Sequence, residues 1–282
     1  MPPAMPPMFE QPERHQATAD YLELNRASWD ERVPIHVASD MYDRDEFLAG
    51  ADHLHAFESD ELGDLSGRRL VHLQCHFAMD TLSLARRGAT VTGLDFSPAA
   101  IAVARQLSEL LGMKARFVEA GVYEAVEALG ETYDVVYTGK GAINWLPDLR
   151  TWAKVIASLL EPGGFLYLSE YHPLVGMMGD DSYEPQYPYF NSGAIFDDAQ
   201  GTYADPEAII EHTSTVEWSH PLSEVLTAVI EAGLSVELFN EHQDCTFPRF
   251  SFMERHGPRD YRLPAGAIGL PFMYSLRAVK KP

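Results

Sequence analysis

Residues 69–98 read RLVHLQCHFAMDTLSLARRGATVTGLDFSP, and this stretch indicates the fold class. Two short apolar runs, 69–74 and 89–95, flank a segment with the pattern of a helix. Ser97 then provides an N-cap, and Pro98 occupies the first position of a second helix. Strands that alternate with helices at this spacing predict a parallel βαβ unit with a right-handed crossover.

The alternation continues along the chain. The further predicted strands are 115–119, 133–138, 165–170, 235–241 and 272–279. A buried helix face ends at Pro162-Gly163-Gly164, directly before the strand at 165–170. The pattern therefore predicts an α/β, Rossmann-like, doubly wound sheet.

Four segments are expected from changes in composition. Residues 1–60 are a tail, Pro- and Met-rich over 1–16, followed by a helical cap. Residues 61–172 hold the Rossmann-like core. Residues 173–217 are an aromatic insertion that includes a candidate strand at 213–218, and 218–282 complete the core with a helix and the last two strands.

The charge balance limits the choice of partners. The chain has 42 acidic and 21 basic residues among 282, which gives a net charge of −21 and disfavours nucleic acid and anionic membranes. Cys75 and Cys245 match neither a disulfide framework nor a zinc pattern, so no metal site is predicted. Without an apolar leader or a long apolar run, the expected location is cytoplasmic, and the sequence is compatible with a homo-oligomer.

Three positions at the carboxyl ends of the strands carry the candidate chemistry, because ligands of such sheets bind at that edge. The first is the loop 74–80, after the first strand. The second is Asp95, at a distance along the chain typical of a carboxylate that binds ribose hydroxyls. The third is 119–123, where an adenine ring can stack.

Three motifs resemble the core of class I S-adenosylmethionine (SAM)-dependent methyltransferases. They are VTGLDFSP at 91–98, YDVVY at 133–137 and LLEPGGFLYL at 159–168. The resemblance implies SAM as the cofactor and a seven-stranded, mostly parallel sheet whose last strand is antiparallel. The LQCH loop at 73–76 is similar to that of a small-molecule branch of the family.

The resemblance also implies a set of cofactor-binding residues. These are Trp29, Gln74, His76, Asp95, Phe96, Gly121, Val122 and Asn144. The first loop departs from the family, which has an acidic residue followed by glycines at alternate positions, where this chain has His72, Gln74, His76 and Ala78. Without these glycines, the loop stands off the cofactor, adopts another conformation or contributes side chains. Gly121 replaces a frequent family acid.

The candidate catalytic residues are two histidines near the acceptor side. His172 directly follows the strand at 165–170, and His220 lies close to the same rim. Each is interpreted as a general base or an orienting donor, with helix capping as the alternative. Likewise, Trp29 either closes over the cofactor or packs the extension onto the core, and the aromatic insertion is either a lid or a satellite core.

The indicated function is direct, in-line SN2 transfer of a methyl group from SAM to a small-molecule acceptor. The aromatic insertion favours a bulky aromatic or heterocyclic specialised metabolite as the acceptor. One alternative is a catalytically silent SAM-binding protein, suggested by the missing glycines. The other is an NAD(P)-dependent oxidoreductase, which the absence of G-x-G-x-x-G after the first strand disfavours.

Overall fold

The computed structural model describes residues 16–179, 181–190, 193–257 and 259–282, so nearly all of the predicted tail lies outside it. The helices are α1 (Gln16–Ala38), α2 (Arg44–Leu48), α3 (Ala56–Leu62), α4 (Met79–Arg86), α5 (Pro98–Leu110), α6 (Ala125–Leu129), α7 (Leu149–Leu159), α8 (Pro173–Gly176) and α9 (Leu222–Glu231). The strands are β1 (Arg69–Leu73), β2 (Thr90–Asp95), β3 (Arg116–Glu119), β4 (Tyr133–Gly139), β5 (Leu160–Tyr171), β6 (Ala194–Asp198), β7 (Ser214–Trp218), β8 (Leu234–His242), β9 (Glu254–Gly257), β10 (Asp260–Arg262) and β11 (Met273–Lys280). Within these residues, none of the helices combines the length and the apolar character that crossing a bilayer requires.

One seven-stranded sheet has the strand order β3-β2-β1-β4-β5-β11-β8. Strands β1 to β5 pair in parallel, and β11 runs antiparallel to both β5 and β8. The mostly parallel sheet with an antiparallel last strand is therefore confirmed. Because the strand order reverses between β1 and β4, a crevice opens above their carboxyl ends.

Apolar layers cover both faces of this sheet. On one face, the predicted stripe of α7 is buried, with Trp152 and Ile156 fully excluded from solvent. On the other face, Tyr137 and Tyr167 pack with Leu84 of α4. Burial on both sides explains why the central strands consist of near-continuous apolar residues.

The N-terminal extension and the insertion pack against each other. The buried side chain of Asn25 on α1 donates from Nδ2 to the Val216 carbonyl at 2.7 Å, and its Oδ1 accepts from the Val216 N–H at 2.8 Å. The strand predicted at 213–218 is thus confirmed as β7, which pairs with β6 in a hairpin. We call β6 and β7 the lid hairpin.

A second hairpin, formed by β9 and β10, interrupts the C-terminal part of the core. The sequence-based expectation for 218–282 contained a helix and two strands and was incomplete at this point. The two strands read ERHG and DYR, and such short polar runs lack the alternation of a half-buried strand. Only contacts with the rest of the fold distinguish them from a loop.

Candidate active site

A cavity of about 920 Å³ lies at the carboxyl ends of β1, β2, β4 and β5, below α1 and the lid hairpin. Most of the predicted site residues line it, namely Trp29, Gln74, His76, Asp95, Phe96, Asn144, His172 and His220. Gly121 and Val122 are outside its lining, next to β3, so their contact with an adenine ring stays a prediction. Among the described residues, no three His, Cys, Asp or Glu side chains converge as a metal site.

The loop after β1 has a left-handed backbone at three alternate residues. The φ angles are 57° at Gln74, 49° at His76 and 71° at Ala78. Glycine adopts this region without steric cost, whereas other residues enter it only under strain. The positions where the resemblance places glycine therefore keep a backbone suited to glycine, and Gln74 and His76 also contribute side chains to the cavity wall.

Asp95 is held rigidly where β2 ends. Its Oδ2 accepts a hydrogen bond from the His76 N–H at 2.8 Å, and its Oδ1 accepts one from the Ser97 N–H at 3.0 Å. Burial, together with the nearby charge of Asp30, raises the pKa of Asp95 to about 6 despite these bonds. Each carboxylate oxygen can accept a further hydrogen bond, so the group remains able to bind a ligand that donates two.

Two amide side chains leave acceptor oxygens unpaired in the cavity wall. Nε2 of Gln74 donates to the Ala142 carbonyl at 2.8 Å, and Nδ2 of Asn144 donates to Oε2 of Glu217 at 3.0 Å. In the described part of the chain, Gln74 Oε1 and Asn144 Oδ1 are buried without a hydrogen-bond partner. Buried acceptors of this kind are normally satisfied, so both are suited to a ligand that brings N–H donors.

The loop that carries Asn144 is organised by Glu170 at the end of β5. This carboxylate accepts hydrogen bonds from the backbone N–H groups of Gly141, of Ala142 at 2.8 Å and of Ile143 at 3.2 Å. Glu170 is 4% exposed, and burial raises its pKa in spite of these bonds. Sequence reasoning missed this residue, although an acid at the end of an apolar strand is a usable signal.

Replacing Glu170 by glutamine should lower the free energy of unfolding by about 2 kcal/mol, because the amide loses one acceptor oxygen and turns an NH₂ group toward backbone donors. Urea denaturation measures this difference. The matched control is Glu109→Gln, at an exposed position of α5, which should change stability by less than about 0.5 kcal/mol. Equal stabilities of the two variants would show that the carboxylate does not hold this loop.

The two candidate catalytic histidines are already bonded within the protein. His172 accepts from the Leu174 N–H at 3.1 Å through Nδ1, as the N-cap of α8, and its Nε2 contacts Glu241 Oε1 at 2.9 Å. Nε2 of His220 lies 2.8 Å from the Leu146 carbonyl, and its Nδ1 lies 3.1 Å from Glu224 Oε2. His172 therefore matches the capping alternative, whereas the contacts of His220 connect the end of the loop after β4 to α9 without capping that helix. The catalytic role of either residue stays a prediction.

Aromatic rings close the cavity where α1 meets the lid. The Trp29 ring lies edge-on to His76 at 5.2 Å and to Trp145 at 5.3 Å between centroids. The hydroxyls of Tyr42 and Tyr203 are hydrogen-bonded to each other, which joins the N-terminal cap to the insertion. Trp29 of the cap therefore contacts both the first loop and Trp145 in the loop after β4.

The aromatic insertion combines both of the alternatives left open by the sequence. Tyr187, Phe196 and Tyr203 line the cavity and are about half exposed, as expected of a lid. Tyr183 instead packs on Phe250 in a satellite cluster, with a centroid distance of 5.5 Å. These positions agree with a lid for one part of the insertion and with a satellite core for another, and the role as a lid stays a prediction.

A network of buried charges lies next to the first loop, and sequence reasoning did not anticipate it. Nζ of Lys140 is 2.9 Å from Glu58 Oε2 and 3.0 Å from Asp80 Oδ1. His53 contacts Asp80 at 2.6 Å, and Arg259 of the second hairpin is hydrogen-bonded to His53. The network joins α3, α4, the end of β4 and the second hairpin below the cavity.

Comparisons with known proteins agree with this architecture. Residues 71–166 match the family model described as a methyltransferase domain. A ubiquinone biosynthesis O-methyltransferase of Aeromonas salmonicida (strain A449) is 32% identical over 111 residues, which are 39% of this chain and 46% of that protein. The chain therefore matches about half the length of this relative.

Two solved structures show the same fold at low sequence identity. A SAM-dependent methyltransferase from Mesorhizobium loti superposes with a TM-score of 0.57 and 19% identity over 82% of this chain and 99% of that one. The DhpI–SAH complex gives a TM-score of 0.56 and 14% identity over 93% of this chain and 98% of that one. Together with the strand order, they show that this chain has the fold of these SAM-dependent methyltransferases, and its residues 71–166 match a methyltransferase domain.

Proposed function

We propose that this protein transfers the methyl group of SAM to a small-molecule acceptor inside the cavity of about 920 Å³. The observation that carries the proposal is the meeting of three acceptor groups in one cavity at the strand-order reversal. These are the Asp95 carboxylate and the unpaired oxygens of Gln74 and Asn144. They suit a ligand that combines a sugar diol with an ammonium group.

The proposed cofactor contacts follow from these atoms. Asp95 accepts from the two ribose hydroxyls, while Gln74 Oε1 and Asn144 Oδ1 accept from the α-ammonium group. His76 and Phe96 line the intervening wall, and Gly121 and Val122 remain candidates for the adenine end. SAM, when bound, supplies a methyl group that its sulfonium already activates.

The remaining task of the protein is to orient the acceptor and to exclude water. In-line displacement requires the acceptor atom close to the methyl carbon and opposite the sulfur, which rigid walls favour. Trp29 and Trp145, in mutual edge-on contact, form such a wall. Closure of the lid hairpin removes water while positive charge is lost from sulfur. His172 and His220 contribute to the acceptor-side wall of the same cavity.

A bulky aromatic or heterocyclic specialised metabolite is the acceptor class that the walls favour. Tyr187, Phe196 and Trp218 line the cavity on the lid side. The matched relative from Aeromonas salmonicida is named for O-methylation in ubiquinone biosynthesis, which agrees with a ring-containing acceptor. The net charge of −21 opposes a nucleic-acid acceptor.

Calorimetry with S-adenosylhomocysteine (SAH), followed by incubation of the protein with SAM and a metabolite extract of its host, tests this function. We expect saturable SAH binding and a metabolite whose mass increases by one methyl group only when SAM is present. Binding without transfer to any metabolite would favour a silent SAM-binding protein. Binding of NAD(P)H in place of SAH would contradict the proposal.

A further inference from the structure

Glu217 is a carboxylate on the face of the lid hairpin opposite to Phe196 and Trp218. It lines the cavity and receives a hydrogen bond from Asn144 Nδ2 at 3.0 Å. No basic side chain among the described residues forms an ion pair with it. A group that enters the cavity can therefore form the ion pair that Glu217 lacks.

A second carboxylate lies on the same face of the hairpin. Ile195 pairs with Glu217 and Asp197 pairs with Thr215, so Asp197 and Glu217 are diagonal neighbours across the two strands. Asp197 also lines the cavity. Burial raises the pKa of Glu217, and the charge of Asp197 adds to this effect, although Asn144 and the charge of Arg32 oppose it. Two carboxylates at diagonal positions favour the binding of a cation between or beside them.

The cations nearest to the cavity offset the charge of this pair only in part. Arg32 is 8% exposed and attracts both Glu217 and Asp197, but it forms no ion pair with either within the described residues and does not line the cavity. Lys140 and Arg259 do line it, but they contact Asp80 and His53 in the buried network. The lid side therefore presents net negative charge to a cavity that Trp145 and Tyr203 also line, a combination that suits ammonium groups.

We propose that the methyl acceptor carries a protonated amine, which pairs with Glu217 and lies near Asp197 while its ring packs against Trp145. The role of the amine as a methyl acceptor rests on the proposed methyl transfer. The binding of an amine by the lid hairpin does not depend on that transfer. A net charge of −21 further favours the approach of a cation.

Matched amine and alcohol probes test this recognition in the full-length protein. The pairs are phenethylamine and phenethyl alcohol, tyramine and tyrosol, and tryptamine and tryptophol, each titrated calorimetrically with and without saturating SAH. Within a pair the ring and chain are the same, and only ammonium replaces hydroxyl. We expect at least one amine to bind about tenfold more tightly than its alcohol, and less tightly at high salt.

Three variants connect that preference to the lid. Glu217→Gln should abolish it and leave the affinity for SAH unchanged, because the glutamine Oε1 can still accept from Asn144 Nδ2. Asp197→Asn should reduce the preference in part. Glu207→Gln, at an exposed position of the same insertion, is the matched control and should retain it. If Glu217→Gln does not fold, Asp197→Asn still tests the assignment.

Several results would overturn the inference. One is that no amine binds more tightly than its matched alcohol in any of the three pairs. The same conclusion follows if none of the probes binds. Another is weaker SAH binding by Glu217→Gln, because Glu217 would then hold the cofactor. A third is slower methyl transfer with the amine preference intact, because Glu217 would then act as a base. Failure of the wild type to bind SAH would contradict the proposed function instead, since the amine preference is also measured without SAH.

Discussion

Replacing Asp95 by alanine should lower the affinity for SAH about a hundredfold. The loss is large because a buried carboxylate that accepts from two hydroxyls makes two charge-assisted hydrogen bonds, and each is stronger than a neutral one. The His76 and Ser97 N–H groups fix this carboxylate before any ligand arrives, so binding pays no cost to orient it. Isothermal titration calorimetry with SAH measures the difference.

The pH dependence of the same equilibrium provides a second test. Only the ionised form of Asp95 accepts from both hydroxyls, and its pKa in the free protein is about 6. The affinity for SAH should therefore be constant above about pH 7 and fall toward tenfold per pH unit below about pH 6. In Asp95→Asn this dependence should disappear.

The control for both measurements is Asp60→Asn, which alters an exposed carboxylate on α3. It should bind SAH as the wild type does at every pH. Full SAH affinity in a folded Asp95→Ala protein would contradict the placement of the ribose at the end of β2.

Replacing Lys140 by methionine should lower the free energy of unfolding by about 3–5 kcal/mol, the usual cost of breaking a buried ion pair by removing one partner. Methionine keeps the length of the side chain but leaves Glu58 and Asp80 without their shared cation. Glu58 is fully buried, so solvent cannot replace that cation. Chemical denaturation at pH 7 measures the loss.

The loss in Lys140→Met should depend on pH with a definite sign. Burial raises the pKa of Asp80, but Lys140 and the hydrogen bond with His53 outweigh it and hold the pKa well below its usual value. A lowered native pKa stabilises the fold above the unfolded pKa of about 3.9, and this contribution is lost as the pH falls. The difference between wild type and variant should therefore be largest at neutral pH and shrink below about pH 4.

Two further variants separate this explanation from a packing defect. Adding Asp80→Asn to Lys140→Met should recover part of the lost stability, because it removes one of the uncompensated charges. Lys154→Met, at an exposed position of α7, should change stability by less than about 0.5 kcal/mol. A double variant that is no more stable than Lys140→Met would contradict the electrostatic explanation.

Much of the candidate site could be located from the sequence, because parallel strands end at a common edge. Gln74 and Asn144 follow β1 and β4, Asp95 ends β2, and all three reach one cavity. Their positions depend on strand ends, which apolar runs and helix caps mark locally. The Ser97 cap, for example, accepts from the Ala100 N–H at 3.0 Å as its motif predicts.

The roles of individual side chains were much harder to predict. His172 and His220 both reach the cavity wall, yet their ring nitrogens contact protein partners that no local pattern indicates. Glu170 and Lys140 were missed for the same reason, since their partners come from other elements. A titratable residue near a rim is therefore a candidate whose availability depends on its three-dimensional neighbours.

The order of apolar runs, caps and Gly/Pro stops by itself determined the α/β architecture and the edge at which ligands bind, because these signals act between residues close in the chain. The tertiary structure alone decided which cavity oxygens stay unpaired, which charges are compensated and where the aromatic lid closes. Those properties depend on contacts such as Glu58 with Lys140 and Asn144 with Glu217, whose partners are distant in sequence and meet only when the sheet and its two hairpins have assembled.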